Sequence, residues 1–362
     1  MQLPYVAWRD ALKAAAREGS ETILALLLNA IPPQLVCVSE RSDGNNGPGD
    51  RAILHHVEAA LDQALRAAVE GFTAGHNLCA SHLVAAGAPR YSAGVALATR
   101  VSGVKEFVGK FGLEEPTAIK LGGRVYQHSR YASFLAGVCW TAGSVNTEAG
   151  KDSAEKCVLW LLGEGADPNH HNASAVSAAL CGQSSERVLK ALLAHGANFS
   201  LFQARLDEIF LQHRLIWAMP LAIAGGFDPT LSESKLLNVA AIAEKSEITQ
   251  VLLLAGCNPN AEQGRALREA VLRNSVANVR LLLTFGANPL LAGPLPQTLW
   301  TSDPMSALDV AREDRNNTTP ELLAMIEAAV AQRQLAQSSV APTSMRPLSD
   351  NRLRSSAEAP RL

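Results

Sequence analysis

The sequence predicts an all-α protein, an α-solenoid of stacked helix-turn-helix repeats, and three observations predict it. The first is a recurring stretch. Leu252-Leu253-Leu254-Ala255-Gly256-Cys257-Asn258-Pro259-Asn260 runs from apolar residues into glycine, an Asx residue and proline, and residues 281–289, 161–169, 192–198 and, more weakly, 222–229 repeat it. The second is the interval. The marker glycines Gly165, Gly196, Gly226, Gly256 and Gly286 are 31, 30, 30 and 30 residues apart, and a fixed period of this size is the mark of a repeat array. The third is the run of alanines (Ala178, Ala179, Ala240, Ala241, Ala270) in the segments between markers, where small side chains let neighbouring helix pairs approach closely.

Each part of the recurring stretch has a physical reason. The apolar pair one turn before the glycine suits a helix face pressed on a neighbour. Glycine supplies the left-handed conformation that ends a helix without a Cβ clash. Asp or Asn then bonds its own backbone in a turn. In four copies proline follows and forbids the helix from resuming; Phe199 stands in the fifth. The roughly 20 residues between markers must hold two short helices in a repeat of this size. Residues 264–274 and 276–285 are one such pair, and 235–243 and 247–255 another, broken at Glu244-Lys245-Ser246.

Taken in order, residues 6–19 and 21–30 read as a first pair ended by Pro32-Pro33. The polar, glycine-rich stretch 39–50 reads as a mobile loop inserted in the stack. Residues 53–72 and 76–87 form a second pair. Residues 91–112 make a short unit, 114–130 show no periodicity around Gly122-Gly123, 131–140 form a helix and 141–151 an extended turn. Regular units run from 153 to 290. Three prolines and Trp300 between 291 and 304 predict an elongated finger. Residues 306–312 and 320–334 close the array with a polar outer face, as a terminal repeat requires. This gives about nine units in three parts: irregular helical repeats with insertions over 1–152, regular repeats with a cap over 153–335, and a Ser-, Pro- and Arg-rich disordered tail over 336–362.

Composition narrows the function. The chain is 48% apolar and 18% charged with a net charge of −2, which favours neither nucleic acid nor an anionic membrane. The apolar stretch 215–226 contains Pro220 and is too short to span a bilayer. No apolar core follows a basic start at the N-terminus, so no secretory signal is read there. Six cysteines form no CxxC pair; most sit in apolar runs, as buried free thiols of a reducing, cytoplasmic setting do.

Chemistry is sparse. The nearest phosphate-loop candidate, residues 103–111, has five residues between its glycines where four are needed, and Phe111 where a metal-binding hydroxyl belongs. His170-His171 and His55-His56 lack a third ligand, and no carboxylates pair at a catalytic separation. No catalytic, cofactor or metal residue is predicted. Trp140, Trp160 and Trp217 read as core, and Trp300 as an interface anchor in its finger.

The repeat residues resemble the ankyrin repeat family. The likeness is carried by Gly165-Ala166-Asp167-Pro168-Asn169, Gly256-Cys257-Asn258-Pro259-Asn260 and Gly286-Ala287-Asn288-Pro289. It is also carried by Ser306-Ala307-Leu308-Asp309-Val310-Ala311, which is similar to the family's Thr-Pro-Leu-His-x-Ala opening. That opening is degenerate at Ser174-Ala175-Val176-Ser177 and missing from 206–216 and 234–240. The family period is about 33, so the shorter spacing here trims the hairpin finger between units. The resemblance covers about 155–330.

It implies a non-enzymatic scaffold that binds another protein through a concave face and the repeat tips, with no cofactor, small-molecule substrate, nucleic acid or membrane. The implied contacts are His170, His171, Asn172, Phe202, Gln203, Asn260, Glu262, Arg265, Arg268, Leu291 and Trp300. Open beside it stand an immunity-type subunit that inhibits a partner enzyme, a bacterial effector acting on host proteins, and an enzyme within 91–150.

Overall fold

A computed structural model describes residues 5–30, 48–71, 73–116, 118–127, 133–182, 185–211, 215–232, 235–294, 304–313 and 318–339. The chain is mostly helical. Its helices come in pairs: α1 (Tyr5–Glu18) and α2 (Glu21–Asn29), α3 (Pro48–Glu70) and α4 (Ala74–Ala85), α5 (Tyr91–Leu97) and α6 (Val101–Phe111). A hairpin of β1 (Ala118–Leu121) and β2 (Arg124–Gln127) intervenes. Next come α7 (Phe134–Ser144) and α8 (Glu148–Gly163), α9 (His170–Cys181) and α10 (Glu186–Ala194), α11 (Gln203–Leu211) and α12 (Met219–Ala224). The last are α13 (Lys235–Ile242) and α14 (Ser246–Leu254), α15 (Ala261–Leu272) and α16 (Val276–Thr284), α17 (Ala307–Glu313) and α18 (Pro320–Ser339).

The helices pack in two rows. Each odd-numbered helix from α1 to α17 touches the next odd-numbered one. Even-numbered helices do the same from α6 to α18, and α2 packs on α4. Apolar stripes face inward between the rows: Leu12, Leu61, Val138, Val176, Leu237 and Leu267 from one, Leu24, Leu83, Val158, Leu189, Leu252 and Leu282 from the other. Their buried side chains form one continuous cluster along the chain. Small residues set the spacing. A Cβ on Gly94 would lie 2.3 Å from the Phe134 carbonyl oxygen, and one on Gly137 2.1 Å from that of Tyr91, so α5 and α7 meet backbone to backbone.

All five marker glycines have φ between 83° and 95°. Each closes its helix with the same two bonds. At Gly256 the Gly256 N–H donates to the Leu253 carbonyl at 3.1 Å and the Cys257 N–H to that of Leu252 at 3.1 Å. The Gly165, Gly196, Gly226 and Gly286 stops repeat both bonds, as does an earlier copy at Gly87. This is the Schellman arrangement, which satisfies two orphan carbonyls at a helix end.

Several expectations are corrected. The stretch 114–130 holds the β-hairpin, so the all-α class has this one exception among the described residues. Gly122 and Gly123, at φ 53° and 74°, form the two-residue turn whose twist suits a hairpin. The hairpin seals helix ends: the Lys120 N–H donates to the Ala86 carbonyl at 2.7 Å, and the Gly122 N–H to that of Leu28 at 3.1 Å. The extended turn expected at 141–151 shrinks to the link between α7 and α8. Trp140 and Trp217, expected in the core, are 37% and 41% exposed, whereas Trp8 is buried. The α18 helix runs to Ser339, past the expected start of the tail. Residues 340–362 and most of the 39–50 loop lie outside the described residues, while the last three residues of that loop begin α3.

Cys79, Cys139, Cys157 and Cys257 are buried free thiols and Cys181 is half-buried. Burial pushes the Cys157 and Cys257 pKa values up to about 11 and raises that of Cys139 further, so these thiols stay protonated. Among the described residues no helix is long and apolar enough to cross a membrane.

Candidate binding surface

The tips that follow the stops are built from their own polar side chains. In all five the Asx side chain accepts from the backbone N–H two residues on: Asp167 from Asn169 at 2.8 Å, Asn198 from Ser200 at 3.0 Å, Asp228 from Thr230 at 2.9 Å, Asn258 from Asn260 at 2.9 Å and Asn288 from Leu290 at 3.1 Å. Three boundaries between one tip and the next stop are bonded. The Asn169 carboxamide donates to the Gly196 carbonyl at 2.8 Å and accepts from the Asn198 N–H at 2.7 Å. Asn260 repeats this on Gly286 at 3.1 Å and Asn288 at 2.6 Å. Gln203 holds the N–H and carbonyl of Asp228 at 3.0 and 2.8 Å. A Cβ on Gly226 would lie 3.4 Å from Asn198 Oδ1, and one on Gly256 3.9 Å from Thr230 Cγ2. Side-chain bonds thus bridge three of the four boundaries between stops, and at the fourth Thr230 lies near Gly256.

Two tips enter the next helix through a left-handed turn. His171, Asn172 and Ala173 have φ of 49°, 55° and 56°, and Glu262, Gln263 and Gly264 have 48°, 58° and 73°. The Ala173 N–H bonds the Asn169 carbonyl at 3.0 Å, and the Gly264 N–H that of Asn260 at 3.1 Å. Left-handed backbone costs about 1–2 kcal/mol per non-glycine residue. A single left-handed turn thus joins each of these tips to its helix. It also brings adjacent rings together: His170 and His171 meet edge to face at 4.1 Å.

The predicted contact residues fall on separate tips and do not converge. His170 and His171 are half-buried and Asn172 is exposed on one tip; Phe202 and Gln203 are half-buried on the next. Asn260, Glu262 and Arg265 are half-buried on the tip before α15, with Leu291 beyond α16. Arg265 is tied to Glu262 at 3.3 Å and Glu269 at 3.4 Å, and Glu262 also accepts from Asn238 at 2.9 Å. Trp300 lies outside the described residues.

Three of these residues are engaged in bonds within the chain. Asn260 and Gln203 spend their carboxamides on the backbone of the following repeat. Arg268 is 1% exposed. Its guanidinium donates to the Gln263 carbonyl and, at 3.4 Å each, to those of Glu262, Leu291 and Pro294. Carbonyls of a left-handed turn find no partner within the right-handed helix that follows, and buried ones must be satisfied; Arg268 supplies the donors. Burial of the guanidinium lowers its pKa despite the Glu269 carboxylate nearby.

Beside their polar side chains, three of the five tips expose a leucine. Leu201, Leu231 and Leu290 are 48%, 66% and 45% exposed, two or three residues past their Asx residues, and Leu254 and Phe285 stand exposed at the ends of α14 and α16. The sequence signal was available in these three tips: a leucine just past the Asx residue.

At the first regular tip lies a cavity of about 200 Å³, between the segment after α6 (Gly112 to Glu115) and the tip from Gly165 to His170. Leu113, Phe134, Leu135 and Leu161 line its apolar part; Glu114, Glu115, Asp167 and His170 line the rest. Glu115 accepts from the Phe134 N–H at 2.5 Å at the start of α7. His170 Nε2 is sealed from solvent and has no partner. Arg90, 6% exposed, caps the end of α6 through the Gly112 and Phe111 carbonyls at 3.0 and 3.3 Å. Sequence reasoning missed this site because its walls are about 50 residues apart.

Among the described residues no three His, Cys, Asp or Glu side chains are grouped to hold a metal ion. Compared with known proteins, the chain matches no protein-family model and no curated protein sequence.

Proposed function

We propose that the chain is an ankyrin-like α-solenoid that binds a partner protein along its repeat tips and carries out no reaction of its own. The observation that carries this reading is the contrast within each tip. The backbone stop and Asx turn are the same five times over, while the side chains they present differ: His171 and Asn172, Leu201 and Phe202, Leu231, Leu290. A scaffold that fixes its tips with their own Asx turns and displays a row of unlike, partly apolar side chains offers an extended surface.

The test is affinity capture with the purified chain, its partner identified by mass spectrometry and the complex reconstituted from two purified proteins. Changing Leu201, Leu231 and Leu290 together to Ser is expected to abolish the reconstituted complex while leaving the thermal unfolding curve in place. An undiminished affinity in that variant would remove the tips from the interface.

A further inference from the structure

We propose that the open edge of the β-hairpin takes an extended, acidic segment of the partner protein as a third strand. The inference rests on the scaffold reading and carries its surface onto the hairpin. The register pairs Leu121 with Arg124, Lys120 with Val125, Ile119 with Tyr126 and Ala118 with Gln127. Across a two-residue turn the first of these pairs exchanges ladder bonds, and every second pair does so after it. Lys120 and Val125 therefore turn their peptide groups outward, on opposite edges. The β1 edge is used: the Lys120 N–H reaches the Ala86 carbonyl at 2.7 Å, and the Ala118 carbonyl lies where a Cβ on Gly87 would meet it at 2.0 Å. The β2 edge is open: neither the N–H nor the carbonyl of Val125 has a hydrogen-bond partner among the described residues. Gln127, two residues on, turns its peptide group the same way, and a row of such groups at strand spacing is what an added strand pairs with.

The side chains say which strand fits. Ile119, Leu121 and Tyr126 are buried, so the inner face and the β1 edge hold the hairpin in place. Val125 faces the other way and is 62% exposed. Proteins blunt an open edge with lysine, proline or a bulge; this one carries a β-branched apolar residue, which suits a cross-strand neighbour. Charge selects among neighbours. Residues 118–127 contain Lys120 and Arg124, both exposed, and no acid. A second copy would bring four cations onto one small sheet, whereas a segment with Asp or Glu beside an apolar residue complements them. The hairpin also stands in the right place. It closes on the ends of α2 and α4, and the Gly87 stop of α4 is the one the five marker glycines repeat. On the early repeats it occupies the helix ends that carry tips on the later ones.

The test follows amide hydrogen exchange in the full chain, alone and in the reconstituted complex. The Val125 amide is expected to exchange freely in the chain alone and about tenfold more slowly, or slower still, in the complex. Val125→Pro removes the donor at an edge position where proline is tolerated; it should weaken the complex about tenfold and leave the unfolding curve in place. Val125→Thr, which keeps the N–H and the β-branch, should bind as the native chain does, and Lys120→Glu should bind about threefold more weakly or worse. Amide protection decides independently of how the proline variant folds. No protection at Val125, or full affinity in Val125→Pro, overturns the assignment. So does a free chain that sediments as a dimer with Val125 already protected, because a second copy then fills the edge. If Val125→Pro binds undiminished while the tip-leucine variant does not, only the hairpin assignment falls. If both bind undiminished, or no complex can be reconstituted, the scaffold reading falls with it.

Discussion

The Asn260 side chain and the Asn288 backbone are joined across a repeat boundary: Oδ1 accepts from the Asn288 N–H at 2.6 Å while Nδ2 donates to the Gly286 carbonyl at 3.1 Å. One carboxamide thereby pairs the donor and acceptor that the stop of α16 leaves over. Asn169 does the same for the stop of α10. Net values for such bonds are about 0.5–1.5 kcal/mol each, more when a partner is stranded away from water. Asn260→Ala and Asn169→Ala should each cost about 1–3 kcal/mol in urea denaturation. The two sites share no partner, so their costs should add. Leu290→Ser, beside Asn260 but exposed, should stay within about 0.5 kcal/mol. If Asn260→Ala were silent in stability, its place would be on the binding surface, as the sequence alone suggested.

Helix ends make a second comparison. Gly286 has φ 88° and open space where a Cβ would stand, so Gly286→Ala isolates the backbone cost, about 1 kcal/mol. The end of α13 uses the same pair of bonds with Glu244 in the left-handed place, at φ 56°: the Glu244 N–H donates to the Ala241 carbonyl at 3.2 Å and the Lys245 N–H to that of Ala240 at 3.2 Å. There the change runs the other way. Glu244→Gly should stabilise the chain by about 0.5–1 kcal/mol, the relief of the Cβ clash exceeding the added entropy of the unfolded glycine. Thermal unfolding of the two variants side by side would show opposite shifts; shifts of the same sign would mean that φ is not the controlling variable.

Those two examples explain how much of the fold was legible beforehand. Gly256, Asn258 and Pro259 announce a stop because each residue type has a local backbone reason to be there, and five copies set the period. Glu244 and Asn274 make stops of the same kind without glycine; the sequence places both breaks from the helical period on either side, but not their left-handed backbone. The hairpin at 118–127 carried a legible signal, Gly122-Gly123 between Ile119, Leu121 and Tyr126, all three buried, but it breaks the helical period around it. The binding surface was harder. Arg265 and Arg268 look alike in sequence; only the left-handed turn at 262–264 decides that one is half-buried among carboxylates and the other enclosed by carbonyls. Glu114 and Asp167 share a cavity because α6 and α8 are neighbours in the even row, a fact of stacking that no local pattern carries.

Asn278 offers a test of the stacking register. It is fully buried in α16, and neither its Nδ2 nor its Oδ1 has a partner. Thirty residues earlier, at the matching place in α14, stands Ile248, and sixty further back, in α10, Val188, both buried. A buried amide without partners costs about 1–3 kcal/mol. Asn278→Ile should therefore raise stability by about that amount, read as a higher urea midpoint at unchanged slope. A loss would mean that the even row presents something other than an apolar seat at this position.

Acid provides the last test, at the start of α17. Asp309 accepts from the Ser306 N–H at 2.9 Å and hydroxyl at 2.6 Å, and the Asp309 N–H returns a bond to Ser306 Oγ at 3.2 Å. This reciprocal pairing is a capping box. The bonds from Ser306 lower the Asp309 pKa from its usual 3.8, with Arg312 adding to the effect. A carboxyl with a lowered folded pKa binds fewer protons folded than unfolded. Its contribution is complete above the unfolded value and disappears as pH falls through the folded one. The stability gap between the native chain and Asp309→Asn should accordingly be widest near neutral pH and narrow below about pH 4. Urea midpoints measured from pH 7 down to pH 3 would trace that narrowing. A gap independent of pH would show that the carboxylate's charge contributes nothing and that the amide serves the box equally well.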